Sequence, residues 1–285
     1  VGIHLVEDTK RYYPKGNFAS NIIGFTGSDN QGLYGLEAQY EDILNGEKGR
    51  IVSAKNAKGN DMPFGYEKLY DPKEGKSIVL TIDENIQHFV EKALNEVVIT
   101  HKVQQRAAAV AMDVNTGEIL AMATKPDFDL NKPFEIFDEN ARLALQKFSG
   151  DDLKTQTSIE REKQWKNKLI TEPYEPGSVF KVVTASGYME EGFKKDNHYF
   201  NCPGYVIVSG VRMKCWKLSG HGATDFAQAM VVSCNPAFVE MGTSLGANKF
   251  YKYFRSFGLT EKTGIDLPGE VSGIHIKEKA YGPVE

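Results

Sequence analysis

Residues 174–181 read Tyr174-Glu175-Pro176-Gly177-Ser178-Val179-Phe180-Lys181, and an apolar stretch (Val182, Val183, Ala185, Tyr188, Met189) runs on from them to Gly192. Proline and glycine break the incoming chain, so the pattern predicts a helix that starts near Ser178 and ends on a glycine C-cap. Ser178 and Lys181, three apart, share one face of its first turn. A serine hydroxyl is a weak nucleophile until a neighbouring base takes its proton. A lysine can be that base when burial or nearby cations lower its pKa. The helix start also offers unpaired N–H groups and the positive end of a dipole to a developing oxyanion. Alone, a Ser-x-x-Lys tetrad equally fits a capping serine followed by a solvated lysine.

A second element lies 55 residues on, at Ser233-Cys234-Asn235-Pro236. Thr224 opens a helical pattern through Phe226, Ala229, Met230 and Val231. Pro236 cannot continue that helix but can begin the next at its first position. The residue before a proline avoids the α region, so Asn235 is expected in a kink between two helices. Ser233 and Asn235 would then stand side by side on a short elbow. A cleft shared with Ser178 and Lys181 accounts for both elements better than two separate helix signals do.

These residues resemble the S-x-x-K and S-x-N elements of the penicillin-recognising acyl-serine enzymes. The flanking text is similar to class B penicillin-binding proteins, and within them to the sporulation branch of spore-forming Gram-positive bacteria. The similar stretches are Lys125-Pro126-Asp127-Phe128-Asp129 and Lys262-Thr263-Gly264-Ile265-Asp266-Leu267-Pro268-Gly269-Glu270. Near the start, Arg11-Tyr12-Tyr13-Pro14, Ile23-Gly24-Phe25 and Gly35-Leu36-Glu37 resemble the non-catalytic pedestal of that class. The resemblance implies an α/β (α+β) transpeptidase domain over residues 76–285, an antiparallel sheet flanked by helices, preceded by a partial, dimerisation-like pedestal over 1–75. One departure stands out: Lys262-Thr263-Gly264 lies only 27 residues after Asn235 and enters a surface loop, so it is given no catalytic role. The functional Lys-Thr-Gly is expected beyond Glu285, and the chain is expected to be a fragment lacking its last strands and its membrane anchor.

The resemblance further implies a D,D-transpeptidase that cross-links peptidoglycan stem peptides ending in D-Ala-D-Ala, and its sporulation branch implies a role in spore cortex synthesis. Ser178 would attack the penultimate carbonyl, Lys181 would be its base, and Ser233 would relay the proton to the leaving amine. Asn235 would hold the substrate amide and orient Lys181. β-Lactams should acylate Ser178, and the chemistry needs no cofactor. The native protein would sit on the extracellular face of the cytoplasmic membrane, held by an N-terminal helix and working with a glycosyltransferase. A β-lactam-sensing receptor domain or a β-lactamase would share the acyl-serine fold but would lack a pedestal such as residues 1–75.

The only three cysteines, Cys202, Cys215 and Cys234, fall within 33 residues, with His221 among them. Cys202 precedes and Cys215 follows an expected hairpin, Tyr205–Val208, Ser209-Gly210 and Val211–Met213, whose ends must meet. Thiolates and an imidazole gathered in this way suit a tetrahedral structural Zn²⁺, with Asp225 or water as fourth ligand should Cys234 point elsewhere. A Cys202–Cys215 disulfide or separate buried thiols remain open readings.

The rest of the chain sets bounds. Of 285 residues, 41% are hydrophobic and 25% charged, which excludes global disorder. A net charge of −4 gives no footprint for nucleic acid. No apolar run is long enough to span a membrane. Residues 1–75 read as β-rich or irregular, with turns at Pro14-Lys15-Gly16, Asn45-Gly46 and Lys58-Gly59-Asn60. Ser77–Ile82 reads as a strand, and Asp83 as the N-cap of a helix with Ile86, Phe89, Val90, Ala93, Leu94 and Val97 facing the core. A hairpin follows, 107–114 and 118–124 around Asn115-Thr116-Gly117, with both strands expected to be buried on two faces. Residues 130–170 read as surface helices and loops. The other histidines (His4, His88, His101, His198, His275) show no partner in the sequence, and Trp165 and Trp216 read as packing or cleft-wall residues.

Overall fold

The computed structural model describes residues 10–53, 67–104, 106–280 and 282; His4 and the turn at Lys58-Gly59-Asn60 lie outside them. The chain divides into two compact units, residues 1–171 with 266–270, and 172–265 with 271–285. The boundary near Gly75 expected from the sequence lies inside the first unit.

In the first unit, three short helices, α1 (Ser20–Ile23), α2 (Gly35–Gln39) and α3 (Glu41–Leu44), precede an antiparallel pair, β1 (Arg50–Ser53) and β2 (Glu67–Tyr70). The described part of the N-terminal region is thus more irregular than β-rich. Its motifs converge. Arg11 Nε donates to Glu37 Oε1 at 2.7 Å, the Tyr13 hydroxyl donates to the same oxygen, and the Thr26 N–H donates to Tyr13 Oη. Gly24 and Gly35, both at positive φ, allow two backbone segments to touch: a Cβ on Gly24 would lie 1.8 Å from the Tyr34 carbonyl oxygen. Phe25, fully buried, stacks on Tyr34 and meets Phe128, Phe134 and Trp165 edge-on or tilted. This aromatic cluster ties residues 10–40 to residues 128–165, and Trp165 is a packing residue within it.

Helix α4 (Glu84–Thr100) starts at Asp83, whose carboxylate accepts from the N–H groups of Asn85 and Ile86. Its buried face differs from the expected one. Gln87 and Leu94 are buried, whereas Ile86, Phe89 and Val97 are exposed. The reason is polar: Gln87 donates to the Met122 carbonyl and accepts from the Met122 N–H, so a glutamine faces the hairpin. That hairpin, β3 (Ala107–Met112) and β4 (Ile119–Lys125), is antiparallel as expected. Only β4 is buried along both faces; β3 alternates, with Val110 and Met112 exposed. Ser77–Ile82 is not a strand. Its end makes a single backbone bond to this hairpin, Asp83 N–H to Leu120, and no ladder forms among the described residues. Helices α5 (Glu139–Leu145), α6 (Gly150–Trp165) and α7 (Lys168–Thr171) follow, and the charge runs of α6 form solvated i,i+3 pairs such as Lys163–Glu160.

The second unit opens with a 3₁₀ turn (Gly177–Phe180) that leads into α8 (Lys181–Glu190). Two antiparallel pairs follow: β5 (Phe200–Cys202) with β8 (Gly222–Thr224), and β6 (Tyr205–Val208) with β7 (Val211–Lys214). The β6–β7 turn is Ser209-Gly210, both at positive φ, as a tight two-residue hairpin requires. Helix α9 (Phe226–Val231) is capped by Asp225 rather than Thr224, because the Asp225 carboxylate accepts from Gln228 N–H while Thr224 ends β8. Helix α10 (Asn235–Ser256) is interrupted at Gly246. The core between α8, α10 and β5 holds Tyr188, Phe200, Cys202, Cys215, Cys234, Phe238 and Met241. Burying a side chain such as Phe200 or Met241 contributes about 1.5–3 kcal/mol.

Candidate active site

Ser178 lies in the 3₁₀ turn, exposed, and its hydroxyl has no hydrogen-bond partner among the described residues. One turn on, Lys181 is the first residue of α8 and half-buried. Its Nζ lies 2.9 Å from the Ser233 carbonyl, 3.0 Å from Ser233 Oγ and 2.6 Å from Asn235 Oδ1, and 5.0 Å from the centre of the Phe238 ring. The two elements separated by 55 residues therefore meet at one amine. Burial lowers the Lys181 pKa below its ordinary value of 10.5, against the opposing pull of the Cys215 and Cys234 thiols.

The elbow differs in one detail from its expected form. Asn235 is helical, and the break falls before it. Ser233 takes φ +50°, and Cys234 is extended as the N-cap of α10. Asn235 donates from Nδ2 to the Lys214 carbonyl at 3.0 Å, which turns its Oδ1 toward Lys181. Trp216, which follows on from β7, donates its indole N–H to the Val232 carbonyl at 2.9 Å. These hairpin-end contacts carry no motif in the sequence; the only signal is the place of Lys214-Cys215-Trp216 at the end of the hairpin. His198 also has a partner that the sequence did not reveal, Glu240 Oε1 at 3.0 Å. Lys262-Thr263-Gly264 lies in an irregular segment after α10. A cleft of about 580 Å³ opens beside Lys181 and Asn235, lined also by Phe180, Met213, Phe238 and Phe250.

Behind the elbow, the ligand atoms of Cys202, Cys215, His221 and Cys234 all lie within 4.8 Å of one another. His221 Nδ1 is 3.6 Å from Cys202 Sγ and 3.5 Å from Cys215 Sγ. The three thiols are free, and His221 Nε2 is buried without a partner among the described residues. Burial opposes ionisation of Cys202, but hydrogen bonds involving His221 and Gly204 outweigh it and hold that thiol low, at about 6. Burial, followed by the neighbouring Cys202, pushes Cys234 up to about 12. Asp225 is engaged elsewhere as a helix cap.

The transpeptidase domain of penicillin binding proteins matches residues 107–284, and the penicillin-binding protein dimerisation domain matches residues 1–80. This chain belongs to the class B penicillin-binding proteins. Among these penicillin-binding proteins, stage V sporulation protein D of Bacillus subtilis is 38% identical over 287 residues, covering all of this chain and 40% of that protein. Peptidoglycan D,D-transpeptidase FtsI of Escherichia coli is 27% identical over 292 residues, covering all of this chain and 43% of that protein. The crystal structure of penicillin binding protein 3 from Mycobacterium tuberculosis superposes with a TM-score of 0.75 at 26% identity, over 96% of this chain and 52% of that one; it is also known complexed with ampicillin. The chain thus spans about two-fifths of the length of these curated relatives. The class B fold, mixed helix and antiparallel sheet behind a dimerisation domain, is that expected from the sequence.

Proposed function

We propose that this chain carries the acyl-serine chemistry of a peptidoglycan D,D-transpeptidase. The observation that carries the reading is the set of contacts at Lys181 Nζ. The Ser233 carbonyl and Asn235 Oδ1 can only accept, so they take two N–H groups. A neutral amine has two N–H groups and one lone pair, and that lone pair is left for a hydroxyl. In the resting arrangement Ser233 Oγ is placed to supply it; with substrate bound, Ser178, on the same face one turn earlier, takes its turn. Burial of the amine favours the neutral base.

Ser178 Oγ would then attack the penultimate carbonyl of a stem peptide ending in D-Ala-D-Ala while Lys181 takes its proton. The Ser178 N–H would face the developing oxyanion. Ser233 would pass the proton to the departing D-Ala amine, leaving an ester on Ser178, and an amine from a second stem peptide would resolve that ester. Ser178 is not among the hydrogen-bond partners of Lys181 Nζ, and catalytic hydrogen bonds often form only once substrate is bound. β-Lactams, which acylate by the same route, should label Ser178; a relative seen with ampicillin supports this. Intact-mass measurement of the full-length protein with a labelled penicillin tests the reading. One adduct is expected for the wild type and for Lys262→Ala, and none for Ser178→Ala. Equal loss in both variants would overturn the order of motifs.

The Cys202, Cys215, His221 and Cys234 set fits a structural Zn²⁺. Bond lengths of about 2.3 Å to sulfur and 2.0–2.1 Å to nitrogen in a tetrahedron place S and N about 3.6 Å apart, and the S–N separations here are 3.5 and 3.6 Å. Four protein ligands leave no position for substrate, so the ion would brace the elbow and take no part in the chemistry.

Residues 1–75 would be part of the pedestal, and residues 76–285 part of the catalytic domain. The protein would act outside the cytoplasmic membrane, anchored by a helix and partnered by a glycosyltransferase, in spore cortex synthesis; the similarity to a stage V sporulation protein supports the sporulation part of this reading. No helix among the described residues is long and apolar enough to cross a membrane.

A further inference from the structure

Ser233 holds a left-handed conformation that non-glycine residues rarely take. The two peptide planes that flank it set its φ and ψ, and both are tied at each end. The N–H ends bond back to α9, Ser233 N–H to the Met230 carbonyl and Cys234 N–H to the Ala229 carbonyl. The carbonyl ends are held by side chains: Lys181 Nζ reaches the Ser233 carbonyl, and the Trp216 indole N–H reaches the Val232 carbonyl. Trp216 is 65% exposed, so burial of its ring does not account for a tryptophan there. Its backbone is delivered from a fixed place, because Cys215 N–H bonds to the Gly204 carbonyl and the Lys214 carbonyl accepts from Asn235 Nδ2. The ring also meets His221 edge-on, with centroids 5.2 Å apart.

We infer that Trp216 is a positioning residue: its indole N–H pins the peptide before Ser233 and so keeps the Ser233 hydroxyl aimed at Lys181. This rests on the reading of Ser233 and Lys181 as catalytic, but half of its test does not. Trp216→Phe keeps an aromatic ring against His221 and removes only the donor's reach. A single neutral hydrogen bond predicts that the covalent acylation step by penicillin slows about three- to tenfold. Reversible penicillin binding, zinc content and melting temperature should stay as in the wild type. In the same variant, amide exchange at Ser233 and Cys234, followed by NMR, should quicken by a similar factor. Benzothienylalanine at position 216, which swaps the N–H for sulfur at constant shape, repeats both measurements should the phenylalanine variant fold poorly.

Slower acylation with unchanged exchange would assign Trp216 to substrate contact and overturn the clamp. Faster exchange with unchanged acylation would remove its catalytic relevance, and no change in either would dispose of it altogether. If the full-length wild type takes up no penicillin, the acyl-serine reading fails, while the exchange comparison still decides whether the clamp exists.

Discussion

Nζ of Lys181 lies 2.6 Å from Oδ1 of Asn235, across 54 residues of sequence. The contact is directional because the other end of the Asn235 amide is committed: Nδ2 donates to the Lys214 carbonyl, so the amide cannot flip without losing a bond at both ends. Asn235 therefore presents a fixed acceptor to the amine.

Asn235→Ala should slow acylation of the protein about 10–100-fold, the worth of a hydrogen bond to a charged or polarised group of about 1.5–3 kcal/mol. The pH profile separates orientation from titration. Burial lowers the Lys181 pKa, so the rate should rise with pH as the neutral base forms, with a midpoint below 10.5. Asn235→Asp puts a carboxylate beside the amine, favours the ammonium and should move that midpoint upward. Stopped-flow acylation from about pH 6 to about pH 10, below the ordinary lysine value, checks both; an unshifted profile in the aspartate variant would mean that Lys181 is not the titrating base.

The glycine crossing in the first unit gives a stability prediction. Gly24→Ala places a methyl 1.8 Å from the Tyr34 carbonyl oxygen at φ +72° and should cost at least about 2 kcal/mol. Gly117→Ala is the control: its φ is +80° but nothing lies within 4 Å of the added carbon, so only conformational strain of about 1–2 kcal/mol remains. Urea midpoints of the two variants should fall in that order. Equal losses would show that the close approach of Gly24 to Tyr34 relaxes at no cost.

Tyr13 supplies an alkaline test of the same region. Burial, and then the Glu37 carboxylate, push its hydroxyl up to about 12 from 10. The folded state therefore favours the neutral phenol. That contribution is complete below pH 10, the unfolded value, and is lost as pH rises through 12. The stability difference between wild type and Tyr13→Phe should shrink from pH 9 to pH 12 (from about one unit below that window to its upper edge), as read by chemical denaturation. A difference independent of pH would place the Tyr13 contribution in packing alone.

The candidate site is legible in the sequence because its residues fall in short, local spacings. Ser178 and Lys181 share a helical turn, and Pro236 announces the break beside Asn235. The hairpin around Ser209-Gly210 likewise follows from turn residues that tolerate positive φ. What escaped the sequence depends on partners remote in the chain. Apolar periodicity put Ile86, Phe89 and Val97 inside, yet Gln87 won the buried face by bonding to both backbone groups of Met122. Ser77–Ile82 has strand composition, but a strand needs a ladder, and one bond from Asp83 does not make one. The hydrogen bonds of Trp216 and His198 are not legible in the sequence because a single aromatic or histidine carries no spacing signal; their partners, Val232 and Glu240, are set by tertiary folding.

The thiol cluster yields the last prediction. Three buried sulfurs and one imidazole nitrogen lie within 4.8 Å of one another; against burial, hydrogen bonds involving His221 and Gly204 hold the Cys202 thiol low, while burial pushes Cys234 up. A divalent cation would neutralise such a set, and binding would add to folding stability because the unfolded chain offers no preformed site. Protein purified without added metal should therefore contain about one zinc per chain. A strong chelator should lower its melting temperature and expose all three cysteines to alkylation. Since the ligands must lose protons to bind, zinc should also be released as pH falls. Cys215→Ser and His221→Ala should each lose the metal and, by loosening the elbow, acylate more slowly while retaining Ser178 and Lys181. Elemental analysis with a peptide map decides the matter: absence of stoichiometric metal together with a Cys202–Cys215 disulfide would replace the zinc site by a covalent bridge between the same two positions.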